Sequence, residues 1–77
     1  MNEWDRLSRM SKIYKEMYPK GTRVEVIYMD DIRPIEPGTK GTVAFVDSIG
    51  TIHCNFDNGR KLGLIPGEDE FRIIKEV

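Results

Sequence analysis

The sequence predicts a mostly-β fold: a small five-stranded barrel carrying one N-terminal amphipathic helix. Three observations predict it. Residues 2–18 hold neither proline nor glycine and place apolar residues at helical spacing. From Thr22 onward the pattern changes to short β-branched and aromatic runs divided by Gly, Pro, Asn and Asp. The chain has 77 residues, enough for one domain, and closure removes the edges that a small open sheet would leave.

The helix is expected over Asn2–Tyr18. Asn2 is a natural N-cap, with Asp5 three residues on as a partial capping box. At 100° per residue, Trp4, Leu7, Met10, Ile13, Tyr14, Met17 and Tyr18 fall within about half the circumference, opposite Ser8, Arg9, Lys12, Lys15 and Glu16. Asp5 and Arg9 stand at i,i+4 in the favourable order. Pro19 and Gly21 end the helix, dividing residues 1–18 from a barrel over 19–77.

Five strands follow. Thr22–Met29 alternates Val24, Val26 and Tyr28 onto one face. Asp30–Gly38, with two prolines, reads as a long loop. Gly41–Asp47 sets Val43 and Phe45 against Ala44 and Val46, and Ser48-Ile49-Gly50 turns the chain. Thr51–Phe56 points Ile52, Cys54 and Phe56 one way, and Asn58-Gly59 is a strong two-residue hairpin signal. Arg60–Ile65 is a fourth strand, Pro66–Asp69 a turn, and Phe71–Ile74 a fifth strand. A long first loop, two tight hairpins and a turn before the last strand describe an SH3-like barrel. The expected core is Val24, Val26, Val43, Phe45, Ile52, Cys54, Phe56, Leu62, Leu64, Phe71 and Ile73. That core is thin, and the apolar helix face is expected to add to it.

Composition narrows the function. Twelve basic against thirteen acidic side chains lack the excess of a general nucleic-acid binder. A lone cysteine, Cys54, permits no internal disulfide and fits a reducing compartment. The N-terminus lacks a basic start followed by an apolar run, and no stretch approaches the roughly 20 apolar residues of a membrane span. The expectation is a soluble, cytoplasmic protein with no membrane partner.

The order Tyr18-Pro19-Lys20-Gly21-Thr22-Arg23-Val24, Pro37-Gly38-Thr39-Lys40-Gly41-Thr42-Val43, Gly50-Thr51-Ile52, Asp57-Asn58-Gly59 and Leu62-Gly63-Leu64-Ile65-Pro66-Gly67-Glu68-Asp69-Glu70-Phe71-Arg72 resembles a family of small uncharacterised domains. They are encoded by Firmicutes, their phages and their conjugative elements. The resemblance covers about residues 18 to 74 and leaves the helix outside it. Family members often carry Trp where this chain has Phe56. The resemblance implies an SH3-like fold and a mobile-element setting, and it implies no activity.

No catalytic constellation emerges. His53 and Cys54 are neighbours on a strand and so point to opposite faces. Asp30-Asp31 with Glu36 matches no calcium loop, and the glycines sit in separate turns rather than in one phosphate cradle. No metal and no cofactor are expected. The expected role is a non-enzymatic binding module with a protein partner, of a phage or mobile-element accessory type. Its alternatives are a nucleic-acid accessory domain or a sponge for a small nucleotide. Three surfaces are candidates. The helix face offers Trp4, Leu7, Tyr14 and Tyr18, suited to a partner chain or a homodimer. Tyr28, Arg33, Ile35, His53 and Asn55 are expected to line a groove between the long loop and the third strand. Lys20, Arg23, Lys40, Arg60 and Lys61 are the nucleic-acid candidates, with Phe45, Phe56 and Phe71 expected inside and so unable to stack on bases.

Overall fold

A computed structural model describes residues 2–75. One helix, α1 (Glu3–Met17), precedes five strands: β1 (Arg23–Tyr28), β2 (Lys40–Val46), β3 (Ile52–Phe56), β4 (Lys61–Leu64) and β5 (Glu70–Ile73). Every expected element is present within a residue or two of its expected ends. The Asn2 side chain accepts a hydrogen bond from the Asp5 amide at 2.8 Å, satisfying one otherwise orphaned donor of the first turn.

The strands form one antiparallel sheet in the order β4-β3-β2-β1-β5. Among the described residues no ladder joins β4 to β5, so the closure expected from the sequence is not seen as strand pairing. A buried carboxylate links the strand ends instead. Asp69 accepts from the Ile65 amide, just past β4, and from the Asp30 amide, two residues past β1, each at 2.8 Å. Both acceptor oxygens are thereby used, which is what makes a buried carboxylate tolerable.

Two bulges decide which side chains enter the core. Along β2 and β3 the register runs Val43↔Cys54 and then Phe45↔His53, leaving Ala44 as an extra residue. Alternation therefore shifts, and Val46 turns inward while Phe45, expected in the core, turns outward and is 56% exposed. Along β1 and β5 the register runs Val26↔Phe71 and then Tyr28↔Glu70, with Ile27 extra. Tyr28 leaves the face of Val24 and Val26, and Met29 takes the inward place. Ile73 pairs with Val24 as expected, yet on the edge strand it stays 48% exposed. Leu62 and Phe71 pack against the core while only partly buried.

The long loop supplies a core residue. Ile35 is completely buried, and its amide points at the Met29 sulfur 3.4 Å away. The loop is held by main-chain bonds from Gly38 to Val26 and from Val26 to Thr39, and by the Arg60 guanidinium, which donates to the carbonyls of Arg33 and Pro34. A thin core gains a large aliphatic group this way without lengthening a strand.

The helix lies against the β2–β3 end of the sheet. Its closest approach is at a small polar residue: Ser11 is buried, and its hydroxyl donates to the Asp47 carbonyl at 2.6 Å. Gly50, also buried, has φ of 89° and lies so near the Tyr14 ring that a Cβ there would come within 3.3 Å of it. Tyr14 and Tyr18 pack on the core, and the Tyr18 ring meets Phe71 with centroids 5.5 Å apart.

Replacing Ile35 by Ala is expected to cost about 2–5 kcal/mol, the range for emptying a core site, whereas Ile73→Ala on the exposed edge costs under about 1 kcal/mol. Urea denaturation of both variants checks this. Equal losses would show that the loop residue contributes no more than the edge residue.

Candidate functional site

The β2 bulge builds a platform on the outer face of the sheet. Phe45 and His53 face each other across β2 and β3, with rings stacked at 4.4 Å between centroids and 12° between planes. Next to His53, on β4, stands Gly63, where a Cβ would lie 2.4 Å from the Thr51 methyl. A Cβ would force the Thr51 side chain to move, and the lack of a side chain leaves a shallow hollow of about 330 Å³ bordered by Ala44, Phe45, His53, Asn55 and Lys61. A second hollow of about 240 Å³ shares the Phe45 wall and is bordered by Lys15, Tyr18, Pro19 and Lys20.

His53 is held in place by Asp47. Nε2 lies 2.8 Å from Asp47 Oδ2, and because an ionised carboxylate only accepts, the ring nitrogen donates. Asp47 Oδ1 accepts from the amides of Ile49 and Thr51. The Asp47 carbonyl accepts from the Gly50 amide as well as from Ser11. One residue therefore closes the β2–β3 turn, anchors the helix and orients the ring beneath Phe45. Partial burial pushes the Asp47 carboxyl up, but the bonds from His53, Thr51 and Ile49 together outweigh it and hold the carboxyl below its ordinary range.

The three candidate surfaces fare differently. On the helix, Tyr14 and Tyr18 are used in packing on the chain's own sheet and Leu7 is half-buried, while Trp4 remains 62% exposed together with Ile13 and Met17. The expected groove is not assembled. Ile35 is in the core, Tyr28 pairs outward with Glu70 near the β5 edge, and Arg33 lies in the loop held by Arg60. His53 and Asn55 instead join the Phe45 platform. The basic set is divided as well. Arg23 grips Asp57 through two hydrogen bonds of 2.8 and 2.7 Å and donates to Thr42, and this bonding from Arg23 holds the Asp57 carboxyl below its ordinary value. Lys40 lies close enough to add to that effect. Arg60 is committed to the loop carbonyls. Lys20 and Lys61 border the platform on its two sides, where the sequence did not place an aromatic.

Sequence reasoning missed Phe45 and Lys15. The run Val43-Ala44-Phe45-Val46 is apolar throughout, so it carries no alternation to reveal a face. A signal existed in the turn: counting outward from Asp47 and Thr51 pairs Val46 with Ile52 and Phe45 with His53. Cys54 is buried on the other face, its thiol pushed up to about 11 by burial, so it is a poor nucleophile. Among the described residues no three His, Cys, Asp or Glu side chains gather as metal ligands. No helix among them is long and apolar enough to cross a membrane.

Because the folded Asp47 carboxyl is lowered, its contribution to stability is complete above the ordinary aspartate value of 3.8 and is lost as pH falls through the lower folded value. Asp47→Asn is expected to cost about 1–3 kcal/mol near neutrality and to flatten the acid limb of the stability curve below pH 3.8. Urea melts across the acid range check this; an unchanged acid limb would remove Asp47 as its source.

A family profile described as a domain of unknown function, DUF4314, matches residues 6–74. No curated protein and no solved structure matches the chain. The match starts inside α1, so the helix from Arg6 onward lies within the family's bounds, where the motif resemblance had left it outside. Spanning all five strands and most of the helix, this match makes the chain a member of the DUF4314 family.

Proposed function

We propose that this DUF4314 domain is a non-enzymatic binding module of SH3-like architecture, binding through the outer face of its sheet around Phe45. One observation carries the reading: a phenylalanine is kept on the surface and held flat against an immobilised histidine. Leaving a phenylalanine outside a core this small forgoes about 1.5–3 kcal/mol of burial, which a bound partner offsets. The ring is also pre-organised, so little conformational freedom is lost when a ligand covers it.

Architecture and chemistry support the same reading. The order β4-β3-β2-β1-β5, the bent β2 and the tight turn before β5 suit an SH3-like barrel in which Asp69 joins the strand ends. The His53–Asp47 pair has no partner nucleophile in Cys54, which faces the other way. The motif resemblance adds a setting, that of an accessory factor of phages or conjugative elements.

A second reading is favoured by the helix. Ile13 and Met17, one turn apart on α1, are exposed although the helix is docked, and they suit self-association through a symmetric contact. Light scattering over rising concentration is expected to give a dimer for the full chain and a monomer for Ile13→Ser combined with Met17→Ser. A monomeric full chain would dismiss the symmetric contact.

The platform is tested with a neutral aromatic probe. Titrating indole into the ¹⁵N-labelled protein is expected to shift the amides of Ala44, Phe45, His53 and Gly63. Shifts confined to the region of Trp4, or none, would overturn the assignment of this face.

A further inference from the structure

We propose that the Phe45 platform binds single-stranded nucleic acid, a base stacking on the open side of Phe45 while Lys15, Lys20 and Lys61 meet the backbone phosphates. The inference rests on the binding face assigned above and names its partner.

Three features of the surface point to this chemistry. The ring presents a flat apolar face: His53 covers one side of it at 4.4 Å and the residue is still 56% exposed. Base–aromatic stacking needs such a face and accepts any base. Lysine supplies the charge at the rims, Lys61 in one hollow and Lys15 with Lys20 in the other. Among the described residues these three lysines enter no ion pair, and no carboxylate borders either hollow. Asp57 is paired with Arg23 and Glu25 with Arg72, and the carboxylate bonded to the platform, Asp47, is turned onto His53 and the turn amides, so a net charge of −1 coexists with lysines at both rims. Third, the hollows are shallow, and Gly63 keeps the floor beside His53 bare. A peptide anchor needs a deep apolar pocket, whereas a splayed-out base needs a plane and a nearby cation. A duplex keeps its bases stacked inside and cannot use the plane, so the preference is for single strands.

Fluorescence anisotropy with a fluorescein-labelled ten-nucleotide oligo(dT) tests this on the full chain. Three phosphate contacts on a single strand give a slope of about −2 in log affinity against log salt, so binding is expected to weaken roughly 20-fold from 50 to 200 mM salt. Phe45→Ala, a surface change that leaves the fold intact by circular dichroism, is expected to lose about tenfold or more in affinity. Lys15→Gln and Lys20→Gln each shallow the salt slope by about 0.7. A duplex of equal length binds more weakly than the single strand. Absence of binding at low salt, affinity indifferent to Phe45→Ala, or equal binding of the duplex overturns the inference. Indole shifts at Phe45 without oligonucleotide binding would retire the nucleic-acid partner and keep the face; loss of both would retire the face too.

Discussion

The β2–β3 turn is organised by the side chain and backbone of Asp47, and much of the molecule depends on how that residue distributes its hydrogen bonds. Its carboxylate caps the Ile49 and Thr51 amides and takes the His53 ring nitrogen, and its carbonyl receives the Ser11 hydroxyl. Each of these bonds is modest alone. Together they set the turn, and the turn sets the register in which Phe45 stands opposite His53. The same residue fixes where α1 meets the sheet. A helix with a large side chain in place of Ser11 could not approach the Gly50 turn this closely.

A chain of this length has little core to spend on function. The fold offsets the outward Phe45 and Tyr28 by drawing in Val46 and Met29 through the two bulges, and by inserting Ile35 from the long loop. Tyr14, Tyr18 and Phe71 then cover what the strands leave open. The charged groups follow a similar division. Arg23 and Arg60 are spent on structure, gripping Asp57 and the loop carbonyls. Lys15, Lys20 and Lys61 border the exposed Phe45–His53 stack. Cations bonded within the fold and cations at the rims of the platform are thus separated by geometry, although the sequence mixes them.

Local signals determined the elements. The N-cap at Asn2, the stop at Pro19 and Gly21, the hairpin at Asn58-Gly59 and the β-branched runs are short-range chemistry, and each element appears where that chemistry places it. Period-two burial also identified most of the core: Val24, Val26, Val43, Ile52, Cys54, Phe56 and Leu64 are inside. Alternation failed at Phe45 because a single extra residue inverts every later side chain on the strand, and nothing within an all-apolar run marks where that residue falls.

The sequence by itself therefore determined the helix, the five strands, the turns and the bulk of the interior, since those follow from backbone preferences and hydrophobic spacing within a few residues. Tertiary structure alone decided that Phe45 stacks on His53 in the open, that Ile35 fills the core from a polar loop, and that Lys15 from the helix meets Lys61 from β4 around one aromatic ring. These depend on register and on how the helix docks. The β2–β3 register follows from the Asp47 turn and the bulge at Ala44, whereas the helix and the long loop are placed by hydrogen bonds between residues far apart in the chain, such as Ser11 with Asp47 and Asp30 with Asp69.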